Sequence, residues 1–314
     1  MKIFITGASG HIGGALTADL LAAGHQVLGL ARSDAAAARL AALGAEVVRG
    51  DLDATDVLTA TAKAADGVVH LAYKHELALS GAPDGFARAA DFDLQVVEAL
   101  GEALAGSGKP LVGTGGTLLL AGLGAHLGAP AAGAPRRPGT EEDTLPGGPR
   151  ADSENALVAL ADRGVRTSSV RLSPTVHSDL DHHGFIPSLI AMARRNGFSA
   201  YVGDGSNRWP AVHTRDAARL YRLAVERAPA GSRLHGVADE GVPFRAIAEA
   251  IGRGAGVPAR SVTPADAPAA LGFLAGLVQI DNPTSSARTQ ALLDWHPTHP
   301  GLLDDLAAGH YFAT

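Results

Sequence analysis

Three glycines spaced three residues apart, Gly7, Gly10 and Gly13, lie in the segment TGASGHIGG, residues 6–14. The segment follows a short apolar run, residues 2–6, and precedes a helical pattern. In a strand–turn–helix unit this spacing permits a tight turn, close approach of the backbone to a pyrophosphate, and close packing of the helix on the sheet. The negative charge would meet the amino end of the helix. The segment therefore predicts a dinucleotide-binding loop.

The end of the second predicted strand indicates which dinucleotide is bound. An acidic residue there would bind the ribose 2′-hydroxyl of NAD. This sequence has Arg32 and Ser33 instead, and Asp34 comes two residues too late. Because a guanidinium suits a 2′-phosphate, we predict NADP(H) in preference to NAD(H).

Hydride transfer to a carbonyl also requires a proton. Tyr73, Lys74 and His75 follow the fourth predicted strand, at the edge where a parallel sheet binds ligands. Tyr73 or His75 could donate a proton there. The structural alternative is that Tyr73 packs and His75 is simply exposed.

Alternating patterns position these residues. Predicted strands are separated by helical patterns and cover residues 2–6, 26–31, 45–50, 67–72, 110–114 and 167–172. Helices are predicted at 12–23, 34–43 and 85–105. This alternation predicts an α/β fold of right-handed βαβ units, a doubly wound parallel sheet of the Rossmann type, over residues 1–172.

The second part of the chain has a different pattern. Short strands such as 233–238 are mixed with helical patterns at 184–196, 214–227, 243–253, 265–277 and 301–309. We predict a smaller, more helical substrate lobe over residues 173–314, with segments at about 210–250 returning to the Rossmann domain. Residues 121–149, rich in Pro and Gly, predict a lid or substrate loop, with surface decoration as the alternative.

Composition excludes several classes of protein. The chain has no Cys, so it has neither disulfides nor thiolate metal sites. A formal charge of −6 without charge blocks makes nucleic acid an improbable partner. No apolar stretch reaches the ~20 residues of a membrane span, and the start of the chain lacks signal-peptide architecture. We expect a cytoplasmic protein with a small-molecule substrate.

Five segments resemble the extended and atypical short-chain dehydrogenases/reductases, the group that includes epimerases, dehydratases and 3β-hydroxysteroid-dehydrogenase-like proteins. They are TGASGHIGG, RGDLDA (49–54), VVHLA (68–72), VRLSPTVHS (170–178) and GDGSNRWPAVHTRDAARLY (203–221). The resemblance implies a homodimer through the helices at 85–105 and 150–163 and a structural role for His213 and Asp216. It also implies cofactor contacts, beyond the three glycines and Arg32 and Ser33, from Ser9, His11, Ile12, Asp51, Leu52, Leu71, Ala72, Tyr73, Thr114, Pro174 and Val176.

The sequence departs from that family where the proton chemistry is done. The family has a Ser or Thr, a Tyr and a Lys; alignment puts Arg150 at the Tyr and Glu154 at the Lys. Glycines replace the usual serines after the fifth strand, which leaves Thr114 and Thr117. We expect Thr117 to orient a substrate oxygen and Arg150 to stabilise an oxyanion. Arg150 and Glu154, four residues apart, could instead pair on one helical face.

The segment HSDLDHHG, residues 177–184, gathers imidazoles and carboxylates. Its spacing matches no closed metal site, so we predict no metal and a polar loop that faces the substrate. The aromatic residues that could line a pocket are Phe185, Phe198, Tyr201, Trp209 and Phe273.

These features favour an NADPH-dependent reductase of a small organic carbonyl, imine or activated alkene. The missing Tyr and Lys keep two alternatives open. One is a non-catalytic NADP-binding sensor or scaffold, and the other is an isomerase or epimerase that uses its cofactor transiently.

Overall fold

The computed structural model of the protein describes residues 1–125 and 137–313. In chain order, the strands are β1 (Lys2–Thr6), β2 (Gln26–Ala31), β3 (Glu46–Arg49), β4 (Gly67–His70), β5 (Pro110–Gly116), β6 (Arg166–Leu172), β7 (Thr175–His177), β8 (Ser199–Val202), β9 (Arg208–His213), β10 (Ser232–Gly236), β11 (Asp239–Pro243) and β12 (Ala259–Val262).

The α-helices are α1 (His11–Ala22), α2 (Asp34–Leu43), α3 (Thr55–Ala64), α4 (His75–Ala78), α5 (Gly85–Leu104), α6 (Ala151–Ala159), α7 (Phe185–Asn196), α8 (Thr214–Arg227), α9 (Phe244–Ala255), α10 (Ala267–Leu271), α11 (Ala287–Leu293) and α12 (Leu302–Ala307). Short 3₁₀ helices cover Thr117–Ala125, Leu160–Arg163, Gly272–Leu274 and Leu277–Gln279.

Seven strands form one parallel sheet in the order β10-β6-β5-β4-β1-β2-β3. The order reverses between β1 and β4, whose last residues are Thr6 and His70. Open α/β sheets bind ligands at such a switch point, outside the carboxyl ends of the strands. The predicted Rossmann fold is therefore confirmed.

Alternate residues of the strands enter two separate cores. Ile3 and Ile5 face a cluster that includes Leu16 of α1 and residues of α8. Phe4 faces the other side, where α3, α5 and α6 pack and where Leu100 is fully buried. Burial of each such large side chain stabilises the fold by about 1.5–3 kcal/mol. Helices therefore cover both faces of the sheet, as its continuously apolar strands require.

A third core belongs to the second part of the chain. Its centre is Trp209, whose ring lies 5.8 Å from that of Phe185 and 5.1 Å from that of Phe244. Two small sheets frame it, in the orders β11-β9-β7 and β12-β8. Trp209 is 0% exposed, so this aromatic candidate for a pocket wall is part of the core instead. Phe185, Phe198 and Tyr201 also pack against this core, and Phe273 is exposed.

The predicted helix at 265–277 is shorter in the structure. It ends as α10 at Leu271, because Gly272 adopts a φ of 52° and a ψ of −131°, outside the helical region. Two 3₁₀ turns follow in place of the rest of the helix. None of the described helices combines the length and apolar composition that a membrane crossing requires.

Histidines and carboxylates lie between α8, which packs on the large sheet, and α12, which packs in the third core. The ring of His213 lies 5.6 Å from that of His177 and stacks on that of His299 at 4.5 Å. Nδ1 of His177 is 2.8 Å from Asp305, and Nδ1 of His299 is 2.9 Å from Asp216. Burial and the neighbouring imidazoles lower the pKa of His213 to about 4, against 6.5 for an unperturbed His.

This depressed pKa predicts acid sensitivity. Between pH 6.5 and about 4, His213 is protonated in the unfolded chain but remains neutral in the folded protein. The free energy of unfolding therefore decreases as the pH falls through this window. The measurement is urea unfolding at a series of pH values. His213→Asn, which can still accept the Arg215 amide as an N-cap, should flatten the dependence. An unchanged slope in that variant contradicts the assignment.

Candidate active site

The glycine loop is shaped by contacts that admit no side chain. Gly7 has a φ of 74°, and a Cβ there would lie 2.8 Å from the amide nitrogen of Ala72. A Cβ on Gly13 would lie 2.1 Å from the carbonyl oxygen of Gly7. Gly10 precedes α1 and offers no side-chain acceptor to the first helical amides. These amides suit an anion, so the loop fits the pyrophosphate of a dinucleotide, with Ser9 and Ile12 partly exposed beside it.

His11, the first residue of α1, joins this loop to the second part of the chain. Its Nε2 lies 2.7 Å from the hydroxyl of Thr214. Its Nδ1 lies 3.9 Å from Asp181. Burial lowers the pKa of His11, which Asp181 only partly offsets. The residue therefore lies at the predicted phosphate site with one ring edge held by α8.

The residues at the end of β2 are all held by protein groups. Arg32 contacts Glu76 of α4 at 2.6 Å, and both side chains are largely exposed. The hydroxyl of Ser33 accepts the amide of Ala36 and caps α2. Asp34, which begins α2, pairs with Arg49. Of the two cations, the guanidinium of Arg32 is the more exposed, at 71% against 55% for Arg49, and it can meet a ligand phosphate.

The segments after β3 and β4 are tied together. Asp51 accepts the amide of Asp53, whose carboxylate holds Lys74 at 2.7 Å. Leu52 packs against the core below. Leu71 packs on the opposite core, and the amide of Ala72 donates to the hydroxyl of Thr6. These residues lie at the carboxyl ends of β1, β3 and β4, beside the switch point.

Arg150 begins the site at the other end of the crevice. It precedes α6 with a φ of 67° and a ψ of −31°, outside the helical region. Its guanidinium contacts Asp93 at 2.5 Å and the carbonyl oxygen of Thr114 at 2.5 Å. The predicted pair with Glu154 is therefore wrong, because Arg150 lies outside the helix and its side chain extends to α5 and β5 instead.

Asp93 belongs to a buried chain of hydrogen bonds that also contains His70 and Thr6. His70 Nε2 lies 3.3 Å from Asp93, and Nδ1 lies 2.7 Å from the Thr6 hydroxyl. That hydroxyl also accepts the amide of Ala72, which extends the network to the segment after β4. Burial raises the pKa of Asp93, but His70 and Arg150 outweigh it and hold the pKa below its usual range.

Tyr73 lies against the guanidinium of Arg150, 4.4 Å from the ring centroid. Its hydroxyl is buried and has no hydrogen-bond partner among the described residues. Burial raises the pKa of Tyr73 and Arg150 opposes the shift, with a net increase. A buried hydroxyl without a partner loses free energy of about 1–3 kcal/mol, which a ligand oxygen could restore.

His75 follows at the start of α4, with its ring 5.1 Å from that of Tyr73 in an edge-on contact. The residue as a whole is exposed. Desolvation of the ring and the charge of Arg150 lower its pKa, so His75 is neutral at pH 7. It lies between Tyr73 and solvent.

The two predicted threonines have different surroundings. Thr114 donates to the carbonyl oxygen of His70 and lies 2.9 Å from the hydroxyl of Tyr221. Thr117 is 0% exposed and accepts a hydrogen bond from Asn282 at 3.0 Å. We expected the Thr117 hydroxyl to orient a substrate oxygen, but in the structure it is bonded to the buried side chain of Asn282. Pro174 and Val176 are partly exposed at the end of β6 and in β7.

Glu154, at the position of the family's Lys, is a buried anchor. Its carboxylate contacts Arg171 at 2.6 Å and Arg233 at 2.9 Å, and it also accepts the hydroxyl of Ser169. Burial raises the pKa of Glu154, but the two arginines reverse the shift and lower it. The residue connects α6 to β6 and β10, and its carboxylate makes no described contact with the guanidinium of Arg150.

The polar segment 177–184 forms no metal cluster in the described chain. His177 pairs with Asp305, Asp179 with Arg215, and Asp181 accepts the hydroxyl of Tyr311. His213, Asp216 and His299 do lie close enough to share an ion. However, the rings of His213 and His299 are stacked at 8°, so their in-plane lone pairs do not converge on one ion.

The carboxylate of Asp216 holds the segment that follows α11 through hydrogen bonds. It accepts the amides of Thr298 and His299, besides the ring of His299. This structural role agrees with what the family segment implies.

The predicted lid falls partly on residues 126–136, which lie outside the described residues. Its second part is docked on the protein. Gly139 bridges to Thr284, Glu141 accepts the amide of Thr289, and Glu142 pairs with Arg288. Residues 139–142 are thus fastened to the segment around α11.

Sequence reasoning missed His70 and Asp93. His70 was hidden in an apolar strand, and Asp93 lies in a helix with other acidic residues. A periodicity signal existed for Asp93: it recurs with Ala89, Ala90, Val96 and Val97 on the buried face of α5. A carboxylate on an apolar face requires a partner.

Comparison with known proteins identifies relatives of this chain. Residues 3–122 match the model of the NAD dependent epimerase/dehydratase family. An uncharacterised protein of Schizosaccharomyces pombe is 42% identical over 99% of this chain and 100% of its own length. The 2-alkyl-3-oxoalkanoate reductase of Stenotrophomonas maltophilia is 30% identical over 82% of this chain and 77% of its own.

A solved structure shows the same fold. The dTDP-glucose 4,6-dehydratase of Streptomyces venezuelae, solved with NAD bound, has a TM-score of 0.76 and is 18% identical, with 99% of this chain and 96% of that chain covered.

The surroundings of Glu154 predict that the family's Lys is not tolerated here. Glu154→Ala leaves Arg171, which is 1% exposed, without its counter-charge, and should cost about 3–5 kcal/mol of unfolding free energy. Glu154→Lys adds a third positive charge and should prevent folding. Glu102→Ala, which removes an exposed pair with Arg163, is the control and should cost far less. Denaturant unfolding measures all three, and a near-native Glu154→Lys protein would refute the assignment.

Proposed function

The chain belongs to the extended short-chain dehydrogenase/reductase family, and on that basis we propose that it is an NADPH-dependent reductase of a small organic carbonyl, imine or activated alkene. The observation that carries the proposal is the contact between Tyr73 and Arg150, in which a phenol without a hydrogen-bond partner lies beside a guanidinium. The family implies a phenol and a cation on one helix. Here a phenol after β4 and a cation before α6 supply the same two groups.

The contact has the properties of a proton donor for reduction. Because the pKa of Tyr73 is raised, its hydroxyl is protonated at neutral pH and can donate to a developing alkoxide. Arg150 stabilises the phenolate that remains. His75, edge-on to Tyr73 and exposed, can return a proton from solvent. The bound nicotinamide would supply the hydride.

The cofactor would be held by elements on both sides of the switch point. The loop from Gly7 to Gly13 fits the pyrophosphate, and Asp51 and Leu52, which follow β3, are the residues that the family resemblance implies for the adenine. Arg32 would exchange its exposed partner Glu76 for the 2′-phosphate. An exposed pair of this kind contributes little stability, so the exchange costs little.

A reductase reading has further support from the relative in Stenotrophomonas maltophilia, which is named as a reductase of 2-alkyl-3-oxoalkanoates.

Cofactor choice is tested at Arg32. Arg32→Ala should weaken NADPH binding by about 1.5–3 kcal/mol, the value of a hydrogen bond to a charged group, and leave NADH binding nearly unchanged. Fluorescence titration of both cofactors measures this. Arg49→Ala, which removes the neighbouring pair with Asp34, is the matched control. Equal losses for both cofactors, or native preference for NADH, contradict NADPH use.

The proton donor is tested by removing one oxygen atom. Tyr73→Phe deletes a hydroxyl that has no described protein partner, so the fold should be unaffected while kcat falls about 100-fold or more. His75→Ala should lower kcat less, because solvent can replace a relay. The assay is NADPH oxidation against a panel of carbonyls, imines and enones. Native kcat in Tyr73→Phe, with turnover abolished in Arg150→Ala, would make Arg150 the electrophilic centre instead.

A further inference from the structure

We infer that Asp93 makes the proton-donating corner of the crevice electrically neutral, so that the enzyme takes a carbonyl without an adjacent carboxylate, a ketone or aldehyde rather than a 2-oxo acid. Asp93 is then a positioning residue that acts through Arg150 and sets substrate specificity. This inference rests on the proposed function, since it names the substrate class of that site.

The first step is that Arg150 is not a free cation. Its Nη1 contacts Asp93 at 2.5 Å and its Nη2 contacts the carbonyl oxygen of Thr114. Asp93 is 7% exposed, and its pKa is held below the usual range, so it remains ionised at neutral pH. The positive charge beside Tyr73 is therefore balanced by a fixed negative charge.

The second step is that the other described groups at this corner leave the balance unchanged. His75 is neutral at pH 7 because its pKa is lowered. Lys74, the next cation along the segment, is paired with Asp53. Arg150 and Lys74 are therefore each balanced by a carboxylate.

A site in which Arg150 is already paired with Asp93 binds an uncharged carbonyl more readily than a carboxylate. A carboxylate next to the reacting carbonyl would lose its hydration, and its attraction to Arg150 would be opposed by repulsion from Asp93. An uncharged carbonyl loses much less hydration and can still accept the Tyr73 hydroxyl. The ion pair then acts as an oriented dipole that stabilises charge only as it develops on the oxygen.

The proposal has a direct test in a matched pair of substrates, a 2-oxo acid and its methyl ester, which differ in charge at one group. The native enzyme should prefer the ester. Asp93→Asn leaves Arg150 without its counter-charge. The ratio of kcat/KM for the acid to kcat/KM for the ester should then rise on the order of 10- to 100-fold, because the uncompensated guanidinium attracts the substrate carboxylate at intermediate dielectric. Because this ratio is compared between the native enzyme and the variant, the intrinsic difference in reactivity between acid and ester cancels.

Two further measurements make the test independent of turnover and of that one variant. Calorimetric titration of the 2-oxo acid into the NADP⁺-saturated protein should show tighter binding in Asp93→Asn than in the native chain, and the gain should vanish in Asp93→Asn/Arg150→Met. Arg150→Met alone leaves Asp93 uncompensated and should weaken the acid further. Thermal unfolding shows whether Asp93→Asn folds. If it does not, the titration of the 2-oxo acid into Arg150→Met still tests the proposal.

The outcomes separate the two levels of the proposal. A shift toward the acid that depends on Arg150 supports the inference. Unchanged ratios and affinities, or a shift that persists without Arg150, overturn it. If no carbonyl, imine or enone is turned over but acid binding still follows the charge at Asp93, the reductase assignment fails while the electrostatic role of Asp93 stands.

Discussion

The buried ion pair between Arg150 and Asp93 organises the polar end of the large sheet, because neither charge could occupy its position without the other. The pair joins the start of α6 to the middle of α5. The second guanidinium nitrogen donates to the end of β5, and His70 and Thr6 continue the chain of hydrogen bonds to β4 and β1. Five elements around the switch point are thereby held to one another by a continuous polar network.

That network explains how the family's chemistry can survive the loss of its Tyr and Lys. Arg150 occupies the position of the Tyr but is drawn out of the helix by its partners and lies over the ring of Tyr73. Glu154 occupies the position of the Lys and is turned toward the interior, where Arg171 and Arg233 require it. The phenol and the cation persist as a contact between two elements, while the helical position of the Lys has become structural.

Buried hydrogen bonds of carboxylates and imidazoles also hold the two parts of the chain together. Asp216 accepts backbone amides of the segment after α11, and His177 contacts Asp305 of α12. His11 adds a contact from the glycine loop to Thr214. Because burial and the neighbouring imidazoles lower the pKa of His213, the junction loses stability as the pH falls and this buried ring must be protonated.

The sequence alone was sufficient for the elements whose signal is local. Glycines in a strand–turn–helix unit, apolar strands and helical periodicity defined the parallel sheet, the phosphate loop and most helix bounds, because those signals arise from backbone sterics and from the burial of one face. The small sheets, the place of Trp209 in a core, and the partners of Arg150, Glu154 and Asp93 were not readable in this way. Those partners lie up to 79 residues apart in the chain, and a side chain with several reachable counter-charges selects one by burial and geometry, which only the tertiary structure decides.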